Sequence, residues 1–182
     1  MAPNKPLSKF GDTKCYSVHD LIKDPPKATW PHKGPILYCW WFPMDPDIVN
    51  NIVNSIANQP EIQMSKIARM KKGHTEYYAL YLGKGANGRR RLGNHLRSNK
   101  RYSTLRRTIA ALLGDSNEEF ITKQLAQCYY EWCELPGYDK KQLADSEKKE
   151  ITHGYFPLNV MENTKVDSNW LRRLKEMRNK LK

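Results

Sequence analysis

Seven polar side chains are of the types that move protons, grip phosphate or hold a hard cation: Tyr38, Tyr81, Lys84, Arg91, His95, Glu147 and Asn159. Phenols and imidazoles exchange protons. Arg91 offers a planar fork to two phosphate oxygens, which lysine does less well. A single carboxylate such as Glu147 can anchor a hard divalent ion that keeps waters and phosphate oxygens as its other ligands. Arg91 and His95 are four residues apart and therefore share one helical face. Taken singly, a strand tyrosine is usually core, a helix histidine usually surface, and an asparagine after Pro157-Leu158 usually a turn residue. Only their joint order points to a site.

These groups sit in a basic setting. From Lys84 through Arg107 the charged residues are Lys84, Arg89, Arg90, Arg91, Arg97, Lys100, Arg101, Arg106 and Arg107, with no acid among them. The whole chain has 31 Lys and Arg against 19 Asp and Glu, a formal net charge of +12. A one-sided run on consecutive helices repels itself, and a polyanion that releases counterions offsets that repulsion. Arg89, Arg90, Arg97, Lys100, Arg101, Arg106 and Arg107, together with Lys71 and Lys72, are the candidate DNA contacts, with Arg106 and Arg107 expected to point outward. The aromatic residues fall mostly in strand patterns and read as core, so they do not by themselves indicate a base-stacking platform.

The elements that must carry the site follow from hydrophobic pattern. With 182 residues and 39% hydrophobic content, the chain suits one folded domain with a real core. No apolar run is long enough for a membrane span, and the opening segment lacks a secretory apolar stretch, so a cytoplasmic protein is expected. Cys15, Cys39, Cys128 and Cys133 form no metal-ligand ladder, and the last three sit among aromatics as small apolar groups. Residues 1–33, rich in proline, read as an irregular arm. Residues 36–42 form an apolar run expected to be a central strand. A helix is expected from Asp45-Pro46-Asp47 to near Asn58-Gln59-Pro60, and a basic stretch, 66–73, leads into a second strand at 77–82. Helices follow with Leu92 and Leu96, and from Ser103 to Gly114, then a strand at 128–135 and a polar helix at 139–152. A last basic helix, capped by Ser168, buries Trp170, Leu174, Met177 and Leu181. Glu118 and Glu119 read as first-turn acids. Of Glu131 and Glu134 only one can point inward, and Glu134 is a reserve metal candidate.

In this order the residues resemble the GIY-YIG nuclease superfamily. Ile36-Leu37-Tyr38 stands at the GIY position, and Tyr81-Leu82-Gly83-Lys84 matches the YIG element. Arg91-Leu92-Gly93-Asn94-His95 matches the family's arginine with a histidine one turn later. Glu147-Lys148-Lys149-Glu150-Ile151 with Phe156-Pro157-Leu158-Asn159 resembles its closing segment. The resemblance covers residues 34–160, with 43–76 as an insertion between the tyrosine strands and 161–182 as a basic C-terminal helix of the same domain. Ile36 replaces the first glycine, and Glu150 stands where leucine is usual, so Glu147 and Glu150 both remain open as the metal ligand, with Glu147 preferred.

The resemblance implies an α/β (α+β) domain built on a small, mainly antiparallel three-stranded sheet flanked by helices. It implies a Mg²⁺- or Mn²⁺-dependent endonuclease that hydrolyses phosphodiester bonds in double-stranded DNA. Tyr38 would take the proton of the attacking water, its phenolate favoured by Lys84, Arg91 and the metal. Tyr81 and His95 would orient the nucleophile or the phosphate, with His95 a possible shuttle, and Asn159 would brace the loops. The small size and embedded insertion resemble type II restriction enzymes more than homing or repair enzymes, and one site per chain implies a homodimer on palindromic DNA. The alternatives are a non-catalytic nucleic-acid-binding module and an RNA-associated basic protein.

Overall fold

The apolar run beginning at Ile36 forms β2 (Ile36–Met44), buried along its length except for Met44. It has a neighbour on each side, as expected for a strand with two apolar faces. The structure, a computed structural model, describes residues 6–7, 10–23, 29–44, 52–97, 103–114 and 117–181. In chain order the other elements are β1 (Thr13–Ser17), α1 (Val18–Lys23), α2 (Ile52–Ala57), β3 (Arg69–Lys72), β4 (Thr75–Gly85), α3 (Gly88–Leu96), α4 (Thr104–Leu113), α5 (Glu118–Ala126), β5 (Tyr129–Glu134), α6 (Lys140–His153) and α7 (Ser168–Asn179). A single sheet runs β1-β5-β2-β4-β3, antiparallel at every pairing.

The sheet has five strands where three were expected. The expected three, β2, β4 and β5, are its centre, and the additions are its edges. β1 lies in the segment read as an irregular arm; its alternating half-buried pattern carries too little apolar signal to be seen in five residues. β3 comes from the basic stretch before β4, whose charged side chains suit an exposed edge. The expected helix start at residues 45–47 lies outside the described residues; α2 is its described part. α7 is capped by Asp167, whose side chain accepts from Asn169 N and Trp170 N, one residue earlier than the expected Ser168. Ser103 and Gly114 bracket α4 as expected, the glycine in the left-handed region with φ 64°.

Both sheet faces are covered. Ile36, Tyr38, Trp40 and Phe42 join a core with Leu92, Leu105, Ile109, Ile121, Trp170 and Leu174. Leu37, Cys39 and Trp41 face the other way, onto Leu143, Ile151 and Phe156. All four cysteines are free thiols, and Cys39, Cys128 and Cys133 are buried, in line with their reading as core groups. Among the described residues no helix is long and apolar enough to cross a membrane.

One irregularity bears on the site. Trp40 pairs with Tyr81 but Trp41 pairs with Ala79, so Leu80 is an extra residue, a β-bulge. Strict alternation would send Leu80 and Tyr81 to opposite faces. The bulge instead puts both in the core cluster that contains Tyr38.

Candidate active site

Tyr38 is fully buried, and two side chains of α3 converge on its phenol oxygen. Arg91 Nε donates to Tyr38 Oη at 2.8 Å, and His95 Nε2 lies 2.9 Å from the same oxygen. The helical spacing of Arg91 and His95 aims both side chains at one atom of β2. His95 Nδ1 is 2.8 Å from Ser103 Oγ, which also accepts from Arg106 N as the cap of α4. The Ser103 hydroxyl can donate to Nδ1; in that tautomer the proton of His95 sits on Nε2 and points at Tyr38. In this arrangement the phenol oxygen receives two donors, an environment that stabilises negative charge on it.

At rest, however, Tyr38 holds its proton. Burial pushes its pKa well above the ordinary tyrosine value, Tyr81 adds to that, and the opposing influence of Arg91 is smaller. The phenolate expected from nearby cations is therefore not the resting form. His95 is held neutral: burial, then Arg91 and Arg106, push its pKa well below the usual imidazole range.

The glycine of Tyr81-Leu82-Gly83 has a steric reason. A Cβ on Gly83 would overlap the Tyr38 hydroxyl, so the phenol lies across β4 only because no side chain stands there. A Cβ on Gly85 would come within 2.9 Å of Arg91 Cβ, so that glycine makes room for the arginine. Tyr81 reaches the site through the bulge, its ring 6.5 Å from that of Tyr38. Asn159 clamps the strand between them: its Oδ1 accepts from Leu82 N at 2.9 Å and its Nδ2 donates to Leu82 O at 2.7 Å. Leu158 N donates to Leu80 O, so the 156–160 loop is stitched to the bulge itself.

Glu147 comes from α6 and shares a cleft of about 230 Å³ with Tyr81, Asn159 and Arg178. Lys84 Nζ donates to Glu147 Oε2 and lines an adjoining cleft with Arg91. Glu147 and Arg91 thus lie on one side of the molecule, joined through Lys84. Glu150 is buried, close enough to act on Cys133 in the core of the opposite sheet face. It does not line the Tyr81 cleft, which favours Glu147 as the carboxylate available to an ion. Among the described residues no three His, Cys, Asp or Glu side chains converge on a metal-sized position. One carboxylate beside open volume still fits Mg²⁺, which keeps several waters and takes substrate phosphate oxygens. When bound, such an ion polarises the phosphate and lowers the pKa of a coordinated water.

Two expected DNA contacts are placed differently. Arg106 is fully buried. Its Nε and Nη2 donate to Glu118 Oε2 at 3.0 and 2.7 Å, its Nη1 to His95 O at 3.0 Å, and its Nη2 also to Glu118 O and Thr122 Oγ1. It ties α3, α4 and α5 together, and the acid that neutralises it comes from beyond the basic run. Arg107 is half-buried rather than outward. Arg90, Arg97, Lys71 and Lys72 are exposed and Arg89 is half-buried; Lys100 and Arg101 lie outside the described residues. Glu131 is the inward acid of β5, accepting from Trp41 Nε1 at 2.9 Å. Glu134 lies 3.4 Å from Lys14 and 3.5 Å from His32 and is not part of this site.

Three neighbours were not anticipated. Tyr130 stacks on Tyr38 at 5.3 Å, but as an aromatic in an aromatic strand it carries no distinguishing signal. Ser103 was legible as a helix cap; its bond to His95 was not. Arg178 lines the Glu147 cleft, its pKa lowered by burial and by Arg107. A signal existed for it, because Trp170, Leu174 and Arg178 are spaced at four residues, which puts a cation on the buried stripe of α7.

The chain matches the GIY-YIG catalytic domain over residues 36–180, beyond the residue 160 at which the motif resemblance stops. No curated protein and no solved structure matches significantly. The match supports a nuclease activity and covers both tyrosine strands, the Arg91–His95 helix and the Glu147 segment. With most of its length inside that match, this chain belongs to the GIY-YIG catalytic-domain family.

Proposed function

We propose that this protein is a divalent-metal-dependent endonuclease of duplex DNA, with Tyr38, Arg91, His95 and Glu147 as its catalytic residues. The observation that carries the reading is the convergence of Arg91 and His95 on the buried Tyr38 hydroxyl, beside a cleft lined by Glu147. Hydrolysis of a phosphodiester needs a base for the attacking water, neutralisation of the charge that develops on phosphorus-bound oxygens, and stabilisation of the leaving oxygen. Tyr38 would first give up its own proton to solvent when a bound cation adds positive charge to the site; the phenolate, held by its donors on α3, would then take the proton of the attacking water. Arg91 uses the nitrogens not engaged by Tyr38 to grip the scissile phosphate. Lys84 donates to Glu147 and so orients its carboxylate toward the cleft. Tyr81 and Asn159 position these groups.

Recognition of a specific palindrome by a homodimer, in the manner of a type II restriction enzyme, is the finer part of the proposal. It is supported by the insertion between the tyrosine strands and by exposed basic residues on β3 and α3. The test is plasmid cleavage with Mg²⁺ or Mn²⁺. Wild type should yield discrete fragments, and Arg91→Ala and Glu147→Gln should yield none at equal DNA binding. Metal-independent binding without any product would sink the catalytic reading. Equal degradation by all three proteins would mark a contaminating nuclease and remove its support.

A further inference from the structure

α3 presents two faces with different roles. Arg91 and His95 point at Tyr38, whereas Arg89, Gly93 and Arg97, also four residues apart, lie about 200° around the helix from Arg91. This second face borders a groove of about 500 Å³ whose other wall is Trp30, with Lys33 and Arg90 at its rim. Arg90 and Asn87 also line the cleft that holds Lys84 and Arg91. The groove therefore adjoins the active-site cleft across the first turn of α3, on the order of a helix diameter, ~10 Å, away.

Three observations indicate that the groove takes a ligand. Its charge is one-sided: among the described residues none of Lys33, Arg89, Arg90 or Arg97 pairs with a carboxylate. Arg89 Nε is buried yet has no hydrogen-bond partner, a state that native structures rarely leave unexplained. Gly93 sits inside a helix, where glycine is the least favourable residue after proline, and packing does not require it. A Cβ there would meet only Trp30 Cζ3 at 3.8 Å, ordinary contact, whereas a Cβ on Gly88 in the same helix would come within 2.8 Å of Pro31 and Ile36. Gly88 is explained by the fold; Gly93 keeps the groove open.

We propose that this groove seats one unpaired nucleotide in a single-stranded segment adjoining the duplex that is cut, its base against Trp30 and its phosphates on Arg89, Arg97 and Lys33. The inference deepens the nuclease reading and rests on it. The occupant is read from the pairing of an aromatic wall with an unneutralised cationic rim, the combination that binds unstacked nucleotides.

Trp30 is itself the reporter. Of the five tryptophans, Trp40, Trp41, Trp132 and Trp170 are no more than 1% exposed, while Trp30 is half-buried. The full-length protein is titrated in EDTA, so that no turnover occurs, with a thymidine dodecamer, an abasic deoxyribose-phosphate dodecamer and a blunt duplex. The thymidine strand should quench tryptophan emission and bind about tenfold more tightly than the abasic strand. The quench should vanish in Trp30→Phe. Gly93→Ala should raise Tm by about 2–4 °C through helix propensity while weakening binding of the thymidine strand about three- to tenfold. Equal binding of thymidine and abasic strands, a quench by blunt duplex as large as by the single strand, or unchanged affinity in Gly93→Ala would each overturn the proposal. These readouts need no cleavage, so a protein that cuts plasmid but shows none of them refutes the groove alone. One that shows all of them and never cuts refutes the nuclease reading alone.

Discussion

Arg91 and Arg106 belong to one basic run, yet their replacement by alanine should fail in opposite ways. Arg106 has no exposed surface and makes five hydrogen bonds that bridge α3, α4 and α5. Removing one partner of a buried, hydrogen-bonded pair costs about 3–5 kcal/mol. For a chain of this size each kcal/mol lowers Tm by about 2–4 °C, so Arg106→Ala should melt roughly 6–20 °C below wild type. Arg91→Ala, in the cleft, should abolish cleavage with a far smaller thermal change. Arg97→Ala, exposed and with no acidic partner among the described residues, should stay within about 2 °C, yet weaken DNA binding and reduce its log-salt slope by about one. Thermal unfolding followed by far-ultraviolet circular dichroism, with binding measured at two salt concentrations, separates these cases. Were Arg106→Ala to melt with wild type and lose DNA affinity as Arg97→Ala does, the buried-clamp argument would be wrong. A further check is Arg106→Met combined with Glu118→Gln. Removing both charges should recover part of the loss, because the penalty of the single variant includes a charge left without its partner.

Gly83→Ala should lower the cleavage rate on the order of 100-fold, since a methyl group there displaces the Tyr38 hydroxyl from Arg91 and His95 and misplacement by about 1 Å has that effect; rates near wild type would refute it. Asn159→Ala removes both bonds to Leu82 and should cost about 2–3 kcal/mol in urea unfolding, with slower cleavage, whereas unchanged stability would show that the loop holds without the clamp. The buried, neutral His95 makes stability depend on pH. In the unfolded chain an ordinary histidine takes up a proton near pH 6.5 while folded His95 does not, so the unfolded state binds more protons just below that pH. Stability should be fully present above pH 6.5 and fall as pH drops below it, by up to about 1.4 kcal/mol per pH unit. His95→Gln should flatten this slope in melts from pH 7.5 to 5, and an equal slope in the variant would assign it to other groups.

Much of this protein is legible in one dimension because its signals are local. The apolar density of 36–42 requires a strand covered on both faces, the four-residue spacing of Arg91 and His95 requires a shared helical face, and Ser103 and Gly114 mark helix ends by their own hydrogen bonding and backbone geometry. The order of Tyr38, Tyr81, Arg91, His95, Glu147 and Asn159 was enough to suggest the family. What the tertiary structure decided are relations between segments. The bulge at Leu80 that turns Tyr81 toward Tyr38 is set by register with β2, which no periodicity within β4 contains. That Glu147 and not Glu150 lines the cleft depends on which side of α6 meets the end of β4 rather than the opposite core. The edge strands β1 and β3 are too short and polar to announce themselves, and they form because β5 and β4 offer them unpaired backbone. Above all, the sign and count of charges in the basic run do not say which arginines face solvent: Arg106 became a structural clamp because Glu118, twelve residues away and on another helix, folds back to meet it.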